Sequence, residues 1–297
     1  MTLVLTSALA QGLLWSILAI GIYISYRILN ISDLTSESSF TLGAAVTAAA
    51  LIRNVPPILA ICLSVLAGCC AGYITGFLHT KMRIPSLLAG ILTMTGLYSV
   101  NLRVMGKANI PLNQVTTILS NLSGLLGFRK DRDAAIILGV IVILIVILFL
   151  VWFLNTEFGF MIVATGINDR MVTANGVNSD RIKTAGLMLA NALIALSGSL
   201  VSQYNAFADV QMGIGAIVIG LASVIIGEVF LREKSFIVRL FGVVAGSIIY
   251  RMIVAFAINS SLVNANDMKL FTAILVALAI YLTDFTRKRG TKRAESK

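Results

Sequence analysis

Few residues of this chain have side chains that could carry out chemistry. The three cysteines, Cys62, Cys69 and Cys70, lie in one apolar segment without a histidine or carboxylate beside them. We therefore interpret them as small core residues rather than as a metal site or a disulfide framework. The single histidine, His79, stands at a predicted helix end and is interpreted as interfacial. No Gly-x-x-x-x-Gly-Lys-Ser/Thr loop occurs, so the sequence predicts neither an enzyme nor a nucleotide or other cofactor bound by this chain.

The composition indicates a membrane protein rather than a soluble domain. Of the 297 residues, 58% are hydrophobic and 12% are charged, whereas a soluble domain is about 25% charged. We predict one all-α polytopic membrane domain over residues 1–286, because no long polar stretch divides two cores. The net charge of +10 includes a basic tail over residues 287–297. That tail is interpreted as a cytoplasmic juxtamembrane anchor, and nucleic acid is not predicted as a partner.

Hydrophobic segments predict where the chain crosses the bilayer. A spanning helix needs about 20 mostly apolar residues, and the segments near that length are residues 9–29, 57–79, 86–105, 134–154, 184–204, 236–258 and 268–285. Two further segments are less regular: residues 38–52 are short, and residues 213–231 begin with closely spaced glycines. Such interrupted segments are typical of transporters with inverted repeats. We therefore predict about eight or nine transmembrane or re-entrant helices with an inverted repeat.

The basic residues predict the orientation of these helices. Their bias places the C-terminus in the cytoplasm and the N-terminus outside. The longest polar stretch between spans, residues 155–183, then lies in the cytoplasm. Two of the charged residues within the predicted spans have predicted surroundings. Glu228 is predicted to pair with Arg232 four residues later, and Arg251 to reach the outer interface or to face the centre of a dimer.

Polar and small residues of three segments are candidates for a solute pathway. The irregular segments open with hydroxyls and glycines, and residues 86–105 carry a further set of polar side chains. The candidates are Ser39, Phe40, Thr41, Gly43, Thr93, Thr95, Asn101, Met212, Gly213 and Gly215. Close helix packing through small residues is an equally good explanation of the two irregular segments. Thr93 and Thr95 cannot share one helix face, which favours local hydrogen bonds over a continuous polar stripe.

The polar stretch of residues 156–183 carries a resemblance to a known family. It contains glycine- and asparagine-marked turns around short helical pieces, and a helix with the run Ser197-Gly198 follows. This pattern resembles the cytoplasmic coupling region of ABC importer permeases of the branched-chain amino acid and ribose type, and it is most similar to the tryptophan/tyrosine-type subgroup. The resemblance implies coupling to an ATPase through Glu157, Phe158, Gly159, Thr165, Gly166, Asn168, Met171, Asn175, Gly176 and Asn178. An ordinary solvated loop is the alternative.

The resemblance also implies function and partners. The chain is expected to be the permease subunit of an importer in a bacterial inner membrane, moving a small polar solute, with an amino acid as the candidate, by alternating access. It implies a homodimer, a cytoplasmic ATPase dimer that holds ATP and Mg²⁺, and an extracytoplasmic solute-binding protein. The alternative is a carrier driven by an ion gradient. The scarcity of acidic residues in the spans argues against that carrier.

Overall fold

A computed structural model of the protein describes residues 2–127, 131–231, 235–259, 270–274 and 276–277. Helix α1 (Thr2–Ile22) continues into a π-helical turn (Tyr23–Ile28), and the remaining α-helices follow in chain order. They are α2 (Thr35–Ile52), α3 (Pro57–Thr80), α4 (Ser86–Met105), α5 (Ile118–Leu126), α6 (Asp131–Leu154), α7 (Glu157–Ile167), α8 (Asp169–Ala174), α9 (Ser179–Asn205), α10 (Ala216–Leu231) and α11 (Phe236–Asn259). The predicted all-α polytopic fold is confirmed.

Six helices of the described residues are long and apolar enough to cross a membrane. They are Leu3–Ile28, Pro57–Thr80, Ser86–Met105, Arg132–Leu154, Ser179–Asn205 and Phe236–Asn259. Each matches a predicted span, and the two irregular segments are the shorter helices α2 and α10. Of the predicted span over residues 268–285, only residues 270–274 and 276–277 are described, and they are helical. The basic tail lies outside the described residues.

Two short strands, β1 (Asn109–Pro111) and β2 (Phe207–Asp209), pair antiparallel where α4 and α9 end. The sequence analysis did not predict them. We call the end of the bundle that carries them the strand face, and the opposite end, formed by α7 and α8, the α7–α8 face. Helix α9 runs from one face to the other and is the most deeply buried candidate span. It packs against α1, α2 and α3, so it forms the centre of the bundle.

Helices α2 and α10 both begin inside the bundle rather than at a face. Asp33, just before α2, bonds to Asn191, which lies ~18 Å along α9 at 1.5 Å per residue. The backbone N–H of Gly215, just before α10, bonds to Glu37 in the first turn of α2. From this shared depth α2 runs to the strand face and α10 to the α7–α8 face. We call α2 and α10 the broken helices, because both begin inside the bundle, and they run in opposite directions. This arrangement agrees with an inverted repeat, which stays a prediction.

Candidate functional site

A cavity of about 370 Å³ lies where α2, α4 and the connection between β2 and α10 meet. Helix α2 contributes its first two turns, and α4 contributes the face that points away from the core. The residues that line the cavity are Glu37, Ser38, Thr41, Met94, Thr95, Tyr98, Ser99, Val210, Gly213 and Ile214. Hydroxyls, one carboxylate and apolar side chains therefore share one space of ligand-pocket size, for which about 300–1,000 Å³ is typical.

Hydrogen bonds between the three elements fix the shape of this cavity. The Ser38 hydroxyl donates to the carbonyl of Met94 at 2.9 Å, and the Asn101 amide donates to the carbonyl of Ser38 at 3.2 Å. Both bonds hold α2 against α4. On the third side, the Gly215 N–H donates to Glu37 Oε1 at 2.9 Å. Gly215 has a φ of 81°, a left-handed conformation that glycine adopts without strain.

The structure divides the predicted pathway residues into two groups. Thr41, Thr95 and Gly213 line the cavity. The others serve packing or backbone geometry around it. Among them, Phe40 packs against Trp15, with the two ring centroids 4.9 Å apart. Thr93 and Asn101 are buried on the α4 face toward α2. The remaining members of this second group are Ser39, Gly43, Met212 and Gly215. A role in transport stays a prediction for all ten.

Glu37 was not among the residues predicted from the sequence, yet it is the one charged residue in the described lining of the cavity. It precedes the predicted segment 38–52 by a single residue, and α2 in fact begins at Thr35. A carboxylate beside an apolar segment is a signal that could have been used, since charges in a membrane are costly and usually functional. Tyr98 and Ser99 of α4 also line the cavity and were absent from the predicted set.

A second polar site ties the start of α2 to the central helix. Asp33 is 3% exposed and Asn191 is fully buried. The Asn191 amide donates to Asp33 Oδ2 at 2.7 Å, and the Thr35 N–H donates to Asp33 Oδ1 at 2.9 Å. Asp33 therefore supports the first turn of α2 while it bonds to α9. This geometry fixes the depth at which the broken helix begins.

Helices α7 and α8 form a projection whose turns are set by side-chain caps. Thr156 Oγ1 accepts from the Gly159 N–H at 3.2 Å, and Asn168 Oδ1 accepts from the Met171 N–H at 3.1 Å. At the start of α9, Asn178 Oδ1 accepts from the Arg181 N–H at 3.2 Å. Each cap satisfies an N–H that a helix start leaves unpaired. The predicted succession of short helices and turns is thus explained by these residues.

The predicted coupling residues differ in their surroundings. Gly159 and Thr165 are buried. Gly166 lies so close to the π-helical turn that follows α1 that a Cβ there would overlap the Ile28 carbonyl oxygen. These three anchor the projection to the bundle. The other predicted residues, Glu157, Phe158, Asn168, Met171, Asn175, Gly176 and Asn178, are exposed.

The exposed end of the projection carries apolar side chains. Ile167 is 79% exposed and Met171 is 51% exposed. They stand at the end of α7 and the start of α8. Ile167 was not among the residues predicted from the sequence to couple to an ATPase. Exposed apolar patches on a folded protein mark interaction surfaces.

Ion pairs near the α7–α8 face brace the same region. Lys183 at the start of α9 bonds to Asp169 of α8, and this bond holds the pKa of Asp169 below its ordinary value. Arg27 pairs with Glu228 at 2.6 Å, which joins the end of α1 to α10. The predicted pairing of Glu228 with Arg232 falls on a residue outside the described part of the chain, and it stays a prediction.

Three further predictions concern residues elsewhere in the bundle. Arg251 lies 4.0 Å from the ring centroid of Trp15, so its guanidinium contacts the face of an aromatic ring on α1. Its predicted place at the outer interface or the dimer centre stays a prediction. His79 is in the last turn of α3, as predicted. The prediction that the cysteines are core residues is wrong for Cys62 and Cys70, which are exposed. Helix α3 is peripheral, and these two residues are on its outer side.

These features define a class of protein: a multi-pass membrane protein with broken helices around a polar cavity and a projection suited to a partner. A family described as the permease component of branched-chain amino acid transport systems matches residues 4–281. A tyrosine transport system permease protein of Clostridioides difficile is 40% identical over 270 residues, 91% of this chain and 88% of that protein. A ribose import permease protein of Haemophilus influenzae is 24% identical over 292 residues, 94% and 83% of the two chains. No solved structure matches the chain.

The chain therefore belongs to the family of permease components of branched-chain amino acid transport systems. Its function is that of the membrane permease subunit of an ABC importer, a class of transporter that works with an ATPase and a solute-binding protein. Nothing in these similarities supports the alternative of a carrier driven by an ion gradient.

Proposed function

We propose that two copies of this chain form the membrane part of an importer for an amino acid, with an aromatic amino acid as the candidate. An ATPase dimer docks under residues 156–183 and holds ATP and Mg²⁺, while this chain binds no cofactor. A solute-binding protein delivers the solute at the strand face, and the C-terminus is cytoplasmic. The α7–α8 projection carries the proposal, because its exposed apolar end offers a partner surface beside the bundle.

The connections of the projection supply a route for coupled movement. Its caps and the close contact of Gly166 with Ile28 make it a rigid attachment to α1. It leads directly into α9, the central helix, which packs against α2 beside the cavity. Closure of the ATPase dimer would then displace packed helices as rigid bodies, one of the known modes of conformational switching.

The outer face of α4 supports the homodimer. Thr95, Tyr98 and Ser99 are exposed on one side of this candidate membrane span. The Thr95 hydroxyl donates to the Ile91 carbonyl of the same helix at 2.8 Å. The hydroxyls of Tyr98 and Ser99 face a side where lipid would offer them no hydrogen-bond partner, and a second copy or a water-filled path would supply one. A pathway on or near the two-fold axis meets that requirement, because the cavity opens beside the same residues.

Transport by reconstituted protein tests the proposal. We expect tyrosine uptake into proteoliposomes only when the permease, its ATPase, its solute-binding protein and ATP are all present. Tyrosine is the probe because one relative of this chain is named a tyrosine transport system permease protein. Uptake driven by an ion gradient without the ATPase would refute the proposed energy source, and ATP-driven uptake of other solutes but not of any amino acid would refute the proposed solute.

The apolar end of the projection is expected to be essential for ATPase docking. Ile167→Asp should lower recovery of the ATPase with affinity-tagged permease more than tenfold, because central interface residues often contribute about 2 kcal/mol or more. Leu125→Asp is the matched control, since Leu125 on α5 is 83% exposed and Ile167 is 79% exposed. Size-exclusion chromatography checks that each variant is folded. Equal ATPase recovery with both folded variants would exclude Ile167 from the docking surface.

The proposed orientation is testable with fusions to the end of the chain. A green fluorescent protein joined after Lys297 should fluoresce in bacterial cells, because that protein folds only when it stays in the cytoplasm. Alkaline phosphatase joined at the same place should stay inactive, because that enzyme becomes active only when it is exported from the cytoplasm. An active phosphatase and a dark fluorescent protein would place the C-terminus outside and reverse both faces of the bundle.

A further inference from the structure

The cavity between α2 and α4 has an unbalanced charge. Among the described residues, Glu37 is the only carboxylate that lines it, and no lysine, arginine or histidine of that part of the chain joins the lining. Arg27 is paired with Glu228, and Arg251 lies over Trp15. Arg103 of α4 and Arg239 of α11 also stand in candidate membrane spans, but neither is among the residues that line the cavity. A cavity with low-dielectric walls and one sign of charge concentrates solutes of the opposite charge.

The Glu37 carboxylate is held in a fixed position. Its Oε1 accepts the N–H of Gly215 at 2.9 Å, at the point where the connection from β2 turns into α10. The Gly213 backbone lies against the carbonyl of Glu37, so that a Cβ on Gly213 would overlap it. The carboxylate is thus positioned between two broken helices, and a carboxylate has acceptor sites beyond the one bond to Gly215.

The other walls suit the rest of an aromatic amine-bearing solute. Tyr98 is 49% exposed and presents an aromatic ring that can stack on another ring. Met94, Val210 and Ile214 add apolar surface, and the volume of about 370 Å³ admits an amino acid with a large side chain. A carboxylate at one side and apolar groups at another match a solute with an ammonium group and an apolar part.

We propose that Glu37 binds the ammonium group of the transported solute within this cavity and thereby selects amine-bearing solutes. The assignment rests on the proposed import function and names the group by which the permease itself distinguishes its solute. Gly215 positions the carboxylate, and a charge-assisted hydrogen bond from the ammonium group to Glu37 supplies the selectivity.

A purely structural role of Glu37 predicts a different result from this proposal. In that role the carboxylate only accepts the Gly215 N–H to fix the start of α10. Glu37→Gln preserves an amide oxygen that can accept the same bond and removes the charge alone. The two roles are therefore separated by the dependence of solute binding on the amine.

Binding to the full chain in lipid nanodiscs provides the test. The probes are tyrosine, tyramine and 3-(4-hydroxyphenyl)propionate, which share one ring and differ in their charged groups. Wild-type protein should bind tyrosine and tyramine at least tenfold more tightly than the propionate, which lacks the amine. Glu37→Gln should weaken binding of both amines at least tenfold and abolish this preference. Asp133→Asn, which changes an exposed carboxylate of α6, should leave the preference intact.

Three results would overturn the assignment: equal binding of the propionate, binding of none of the three compounds, or an unchanged amine preference in Glu37→Gln. Uptake by the complete ATP-driven system is measured separately. Tyrosine uptake at the wild-type rate by Glu37→Gln would remove the assignment and leave the import function in place. Amine-selective binding without ATP-driven uptake would remove the import function and leave the binding site.

Discussion

Gly43→Ala and Gly198→Ala are each expected to destabilise the bundle by about 1–3 kcal/mol or more, the usual cost of overpacking. A Cβ on Gly43 of α2 would overlap the Ala195 carbonyl of α9, and a Cβ on Gly198 of α9 would overlap the Phe40 carbonyl of α2. In both cases the added Cβ would meet backbone atoms of the other helix, so neither helix can relieve the overlap by a rotamer change. Thermal loss of the monodisperse peak in detergent should occur at a lower temperature in both variants.

Gly96→Ala is the matched control for these substitutions. Gly96 also lies in a candidate membrane span, but a Cβ there meets no atom within 4 Å. Replacing a helical glycine by alanine otherwise stabilises a helix by about 0.5–1 kcal/mol. We therefore expect the control to melt at or above the wild-type temperature. A Gly43→Ala variant that melts as high as Gly96→Ala would show that α2 and α9 do not approach as closely as described.

The close approach of α2 and α9 also explains what the sequence could not predict. Apolar composition and length identify the six long spans, because a bilayer imposes one length on every crossing. Four of them agree with the predicted bounds closely, whereas the observed spans Leu3–Ile28 and Ser179–Asn205 begin earlier than the predicted 9–29 and 184–204. The starts of α2 and α10 are different. Residues Thr35, Ser36 and Glu37 are polar, yet they belong to α2. Contacts inside the bundle supply hydrogen-bond partners for their polar groups, and a hydropathy pattern does not show such contacts.

Pairings between distant residues were equally outside the reach of local patterns. Glu228 bonds to Arg27, which is 201 residues distant in sequence, and no local pattern predicted that pair. The cavity has the same character, since Glu37, Thr95 and Gly213 come from three separate segments. Composition identified Thr95 and Gly213 as candidates, whereas their assembly around Glu37 depends on how α2, α4 and α10 pack.

The coupling projection shows the opposite case, in which residue types were informative. Asparagine and threonine are strong helix caps, and Thr156, Asn168 and Asn178 occupy cap positions at α7, α8 and α9. The sequence therefore revealed the turns. It did not reveal that Ile167 is exposed, since burial of an apolar side chain depends on what packs beside it and not on its own type.

Asp33→Ala and Asn191→Ala are expected to be strongly coupled, because each leaves the other as a buried polar group without its main partner. Hydrogen bonds to charged groups contribute about 1.5–3 kcal/mol, and Asp33 also loses its bond to the Thr35 N–H at the start of α2. A double-mutant cycle on thermal or denaturant stability should give a coupling energy of about 0.5–3 kcal/mol. Asp33→Ala combined with Asn121→Ala on the distant helix α5 should be additive. Additive effects for Asp33 and Asn191 would mean that this bond does not hold α2 to α9.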